Sequence, residues 1–187
     1  MVVRILKMAV LTLLAYLLQA TTAQYISLWD VAPNIALAMI AVVTVAFGYK
    51  YSLLMSLAVG YLMEIMLAGM QFFNLVLYPV TSMLGALAYA DKGERKLEEL
   101  RAQGRDTRQL NPHLRTPLCA MVAVSVFEFI HVFYVYLSGV VLDAGHIQRM
   151  LIDIGYTTVL AAIFQFPMRA WLGVYRQNRE NKEKQER

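Results

Sequence analysis

The chain has 187 residues, 59% of them apolar, and a mean hydropathy of +0.51. A soluble domain averages roughly 45–50% apolar, so the excess points to lipid as the solvent. The formal charge of +4 does not point to nucleic acid, because the basic residues flank apolar runs and alternate with Glu94, Glu98, Glu99, Glu180, Glu183 and Glu186, a pattern that suits anionic lipid heads.

Six apolar segments, near 5–23, 33–48, 50–69, 75–90, 117–139 and 150–172, approach the ~20 residues that a membrane-crossing helix needs. They predict an all-α fold, one integral membrane bundle of six transmembrane helices over 1–187, with a loop at 91–116 and a tail at 174–187. Of the 17 Lys and Arg residues, only Arg149 falls in a connection on the opposite side from the rest. Cytoplasmic loops carry an excess of Lys and Arg, which places the loop, the tail and both termini in the cytoplasm. The first segment has the charge and Leu-rich core of a secretory signal. It is read as a retained helix, because its removal would leave five spans with termini on opposite sides.

Along the chain, Asp30 is the expected cap of the second span, with Pro33 in its first turn. Tyr49-Lys50-Tyr51 is the expected turn into the third span. There Ser52, Ser56, Gly60, Glu64 and Ala68 recur every four residues and form one stripe suited to close helix packing. The fourth span carries Pro79, Thr81, Ser82, Gly85 and Ala86. A short surface helix is expected over Glu94–Gln103, Asn111-Pro112 is read as a break, and Thr116-Pro117 as the start of the fifth span. Pro167 is expected to kink or end the sixth span. Beyond it Met168, Trp171, Leu172 and Tyr175 alternate with Arg169, Arg176 and Arg179 as in an interfacial helix.

Ionisable groups inside apolar spans are costly, about 2.5–3.5 kcal/mol even on lenient scales, and are functional candidates by default. Glu64 and Glu128 are the two well inside; Asp153 stands near an outer edge. Glu128 and His131 form a single Glu-x-x-His, whereas di-iron bundles use two such motifs and two further Glu residues. A hydrogen-bonded pair on one helix face is the expectation, and no metal or other cofactor is assigned. Cys119, the single cysteine, is read as packing; it allows no intramolecular disulfide. No nucleophile elbow, His-Glu-x-x-His or Gly-rich phosphate loop occurs, so no catalytic residue is assigned and the chain is not read as an enzyme.

Ala32-Pro33-Asn34-Ile35-Ala36-Leu37, Gly60-Tyr61-Leu62-Met63-Glu64, Asn74-Leu75-Val76-Leu77 and Phe166-Pro167-Met168-Arg169, with the six-span layout, resemble MreD, the rod shape-determining membrane proteins of bacteria. Glu64 stands where that family usually has Asp. The resemblance implies a fold similar to the S components of energy-coupling-factor transporters. It also implies a non-enzymatic scaffold of the cell-elongation machinery in the bacterial cytoplasmic membrane. Its implied partner is an MreC-like single-span protein, and through it an MreB-like filament and a RodA-like peptidoglycan polymerase with its transpeptidase. Pro33, Asn34, Ser56, Gly60 and Glu64 are the expected partner or packing contacts, and Glu128 and His131 the intramembrane polar residues. The alternative is an S component itself, binding a vitamin or a metal ion. Against it, Ala9 and Ala15 are not in the Ala-x-x-x-Ala arrangement of that family's first helix.

Overall fold

The computed structural model describes residues 2–66, 72–89, 102–103 and 110–173. They form six α-helices: α1 (Val2–Leu17), α2 (Ile35–Phe47), α3 (Tyr49–Met66), α4 (Phe73–Tyr89), α5 (Pro112–Leu137) and α6 (Ala144–Leu172). A π-helical turn, Leu18–Thr22, extends α1. No strand occurs among the described residues; a single bridge pairs Leu28 with Val31. The expected helix over Glu94–Gln103, most of the 91–116 loop, Ala68 and the 174–187 tail lie outside the described residues.

Helix α2 is the axis of the bundle. Every residue from Ile35 to Val45 is buried, because apolar side chains occur all around it, as is usual for a helix enclosed by others. The other five helices pack against α2, and α1–α3, α3–α4, α4–α5 and α5–α6 are neighbours in turn. The ring is loosest between α6 and α1. Ile35, Leu37, Met39, Ile40, Val42 and Val43 of α2 join Met55 and Val59 of α3, Tyr78 of α4 and Val124 of α5 in the main core.

Six spans were expected from hydropathy, but among the described residues three stretches are each long and apolar enough to cross a membrane: Ile5–Thr22, Pro112–Leu137 and Ala144–Leu172. The reasons differ for the others. Helix α2 has 13 residues, a rise of about 20 Å against a hydrocarbon core of about 30 Å. Helix α4 has 17. Helix α3 is diluted by Lys50, Ser52, Ser56, Gly60 and Glu64, and its expected end at 67–69 lies outside the described residues.

Four helix boundaries depart from expectation. Asn34, not Asp30, caps α2, its side chain accepting from the Leu37 N–H. Gly48 alone, at φ 82°, reverses the chain between α2 and α3; Tyr49 already belongs to α3. Asn111-Pro112 starts α5 instead of breaking the chain, with Asn111 Oδ1 accepting from His113 N–H, which leaves Pro117 inside the helix. Helix α6 runs unbroken through Pro167 to Leu172 and ends at Gly173, whose φ of 76° is left-handed. Met168, Arg169 and Leu172 are buried there, so as far as Leu172 the helix packs within the bundle, while Tyr175, Arg176 and Arg179 lie outside the described residues. Burial of Met168 and Leu172 in the main core and of Arg169 against α5 outweighs the local breaker.

Candidate functional site

Helix α2 begins inside the protein. Pro33 has no N–H and disfavours helix at its predecessor, so the chain enters α2 as non-helical backbone over 32–34. The first N–H groups of any helix lack intrahelical acceptors, and in lipid each orphan costs several kcal/mol. Neighbouring elements supply the acceptors. Leu37 N–H donates to Asn34 Oδ1 at 3.0 Å and Ala36 N–H to Gln19 Oε1 at 3.1 Å. Asn34 N–H donates to Thr157 Oγ1 at 2.8 Å and to Asp153 Oδ1 at 3.3 Å. Thr157 Oγ1 in turn donates to Asp153 Oδ1 at 2.7 Å, and Tyr78 Oη to Asn34 Oδ1 at 3.5 Å. Gln19 reaches this point from the π turn, where it also donates to the Pro33 carbonyl at 3.3 Å.

Beside this junction lies a half-open cavity of about 260 Å³, lined by Asp30, Val31, Ala32, Glu128, His131, Val132, Val135, His146, Arg149 and Asp153. Asp153 is only 5% exposed. The Glu128 and Asp153 carboxyls interact with each other across the α5–α6 seam. The expected Glu128–His131 hydrogen bond is not formed: Glu128 is turned to Asp153, and His131 lies 6.4 Å from the Phe127 ring. Asp30 is delivered by a tight turn in which Leu28 and Val31 exchange both backbone hydrogen bonds, with Trp29 at φ 50° and Asp30 at φ 61°. Two left-handed residues in succession suit that reversal, and the second aspartate-type position tolerates them best. His146 is not a loop residue; it closes the first turn of α6 in a capping box with Asp143, Nδ1 lying 2.8 Å from Asp143 Oδ1. That hydrogen bond holds the exposed Asp143 carboxyl below its ordinary range. Among the described residues no three His, Cys, Asp or Glu side chains are grouped to hold a metal ion.

The stripe on α3 is the seam against α4. A Cβ on Gly60 would lie 2.6 Å from the Asn74 carbonyl oxygen, so only glycine permits this approach. One turn later Glu64 Oε2 accepts from Asn74 N–H at 2.8 Å and thereby caps α4 from the preceding helix, where a carboxylate is favoured. Ser52 Oγ stands 2.5 Å from both Thr44 Oγ1 and Ser82 Oγ, a hydroxyl chain through α3 that links α2 to α4. Ser56 is buried and donates to its own Leu53 carbonyl.

At the opposite end two of the basic residues brace helix ends. Arg115, 5% exposed, donates from Nε and a terminal nitrogen to the carbonyl of Tyr89, the last residue of α4. Arg169, 3% exposed, donates to the Pro112 carbonyl at 3.1 Å and to Thr116 Oγ1 at 2.9 Å. Arg115 thereby satisfies an orphan carbonyl at the negative dipole end of α4, whereas Arg169, in the last turn of α6, ties that turn to the first turn of α5.

The expected residues therefore divide. Pro33 and Asn34 form the start of α2, Gly60 and Glu64 form the α3–α4 seam, Ser56 is enclosed within α3, and Glu128 and His131 line the cavity. Sequence reading named Asp153 only as an edge residue and passed over Gln19, Tyr78 and Thr157, whereas Asp153 and Thr157 pair on α6. The last two, four apart on one face of α6, carried a signal; the partners of Gln19 and Tyr78 are distant in sequence and left none. No family description, curated protein or solved structure matches the chain.

Proposed function

We propose that the chain is a non-enzymatic membrane scaffold of the MreD kind, with six spans, both termini in the cytoplasm of a bacterium, and an MreC-like single-span protein as its partner. The observation that carries this reading is the placement of the four segments behind the resemblance. Asn34 starts the central helix, Gly60 and Glu64 meet Asn74, and Arg169 braces α5. These residues hold helices together, and the outward faces are left to broad apolar side chains, such as Leu54, Leu57, Tyr61 and Ile65 along α3. Such a face suits a single helix packing from the lipid. On this reading α2, α3 and α4 cross as parts of the bundle, their polar groups satisfied by neighbours.

Co-expression with a tagged MreC-like protein tests it. Leu57→Trp together with Tyr61→Ala should lower partner recovery several-fold while the chain remains folded and inserted. Glu64→Leu should lower recovery only as far as it loosens the α3–α4 seam. Unchanged recovery in the face variant would reject α3 as the contact, and no recovery of the native chain would reject the scaffold.

The cavity beside α2 favours a second reading, a substrate-binding subunit of a transporter. Its mixture of apolar wall and convergent polar groups is usual in ligand sites. Mass spectrometry of the purified protein should then find a co-purifying small molecule that Asp153→Asn releases.

A further inference from the structure

A second depression, of about 250 Å³ and almost wholly apolar, lies where the ring of helices is loosest. Val10 and Leu14 of α1 with Leu18 of its π turn form one wall, Phe164 and Trp171 of α6 the other, and Met39 of the central helix the floor. At its end Lys7 Nζ donates to the Trp171 carbonyl at 2.7 Å and lies 5.6 Å over the Trp171 ring. An ammonium has three donors, so the contact leaves Lys7 able to meet an anion beside an interfacial tryptophan.

We propose that this groove holds one acyl chain of an anionic phospholipid, with its phosphate at Lys7. The inference rests on the membrane reading and on neither functional proposal. Dimensions decide between an acyl chain and a partner's helix. From Lys7 to Leu18 the chain rises roughly 16 Å, about one leaflet of a hydrocarbon core ~30 Å thick. A helix about 10 Å across needs several times the volume available, whereas a cavity of about 150 Å³ already admits benzene. Charge chooses the head group: the Lys7 ammonium at the groove mouth favours a net negative lipid over a zwitterionic one. The acyl chain would cover the seam between α1 and α6, where Met39 of α2 forms the floor.

Native mass spectrometry after release from vesicles of equal phosphatidylglycerol and phosphatidylcholine tests the idea. One retained lipid per chain is expected, with phosphatidylglycerol favoured several-fold. Lys7→Gln should bring the two head groups toward parity while a lipid is still retained. Leu14→Trp, which fills the groove, should reduce retention several-fold, and Leu57→Trp, on the outer face of α3, should not. If Leu14→Trp fails to fold, Val10→Trp takes its place. Three results would overturn the proposal: no retained lipid in the inserted native chain, equal retention in native and groove-filled chains, or an unchanged head-group preference in Lys7→Gln. A photo-crosslinker at Val10 that captures polypeptide in place of lipid would overturn it as well. A chain that never enters vesicles would reject the membrane reading itself, a separable failure.

Discussion

Helices α1 and α2 are both apolar, yet they are held in opposite ways. With its π turn, α1 passes the length and hydropathy test for crossing a membrane, while Ile5, Leu6, Leu13 and Leu17 face outward. Helix α2 fails that test on length and is enclosed on every side. Hydropathy over a long window identifies helices that meet lipid along their length. A helix that starts inside the protein is shortened by its polar start, and that start is viable only because Gln19, Asn34, Asp153 and Thr157 satisfy it. The most buried helix thus fails as a span on length alone.

Removing side-chain volume tests the contrast most directly. Ile40, 1% exposed on α2, should lose about 2–5 kcal/mol of stability on substitution to Ala, measured by unfolding in detergent or lipid nanodiscs. An effect under about 1 kcal/mol would break the picture of α2 as the packed axis. Gly60→Ala comes next, at about 1–3 kcal/mol, since backbone atoms of Asn74 and Leu75 must move to admit the methyl; a neutral result would show that α3 and α4 slide freely. Leu13→Ala on α1, 54% exposed, should change stability by no more than about 0.5 kcal/mol, and a larger loss would mean that a partner or second copy covers that face.

The smallest expected effect is at the start of α6. The Asp143 carboxyl is held below its ordinary range, chiefly by the His146 side chain. A carboxylate with a lowered folded-state pKa stabilises above the unfolded value and loses that contribution as pH falls through the folded one. Amide exchange in the first turn of α6 should therefore rise only below about pH 4, and Asp143→Asn should remove that dependence. Exchange with the same pH dependence in Asp143→Asn would reject the carboxylate as the source of the cap.

Much of the candidate site was legible in part. Glu64 and Glu128 stood out because charge inside an apolar run is rare, and the four-residue stripe identified the buried side of α3 because side chains four apart share a face. The Glu128–His131 pairing was misjudged for the same reason: adjacency on one helix predicts a local bond, and the competing carboxyl on α6 is invisible at that range. Pro167 and Asn111-Pro112 were overweighted as breaks, and Pro117 as a helix start, since local propensity yields to tertiary burial.

What the amino-acid order determined by itself was the all-α class, the approximate course of six helices, and which residues would be costly to leave alone in lipid. Those follow from short-range periodicity and transfer free energy. Tertiary structure alone decided that α2 is the axis, that Gln19 and Asp153 complete its start, that Arg115 and Arg169 brace helix ends, and that a groove remains between α1 and α6. A hydrogen bond between residues more than a hundred positions apart, as from Asn34 to Thr157, depends on which helix lies beside which. Apolar faces specify that they must be covered without specifying the neighbour, so only the packed bundle settles it.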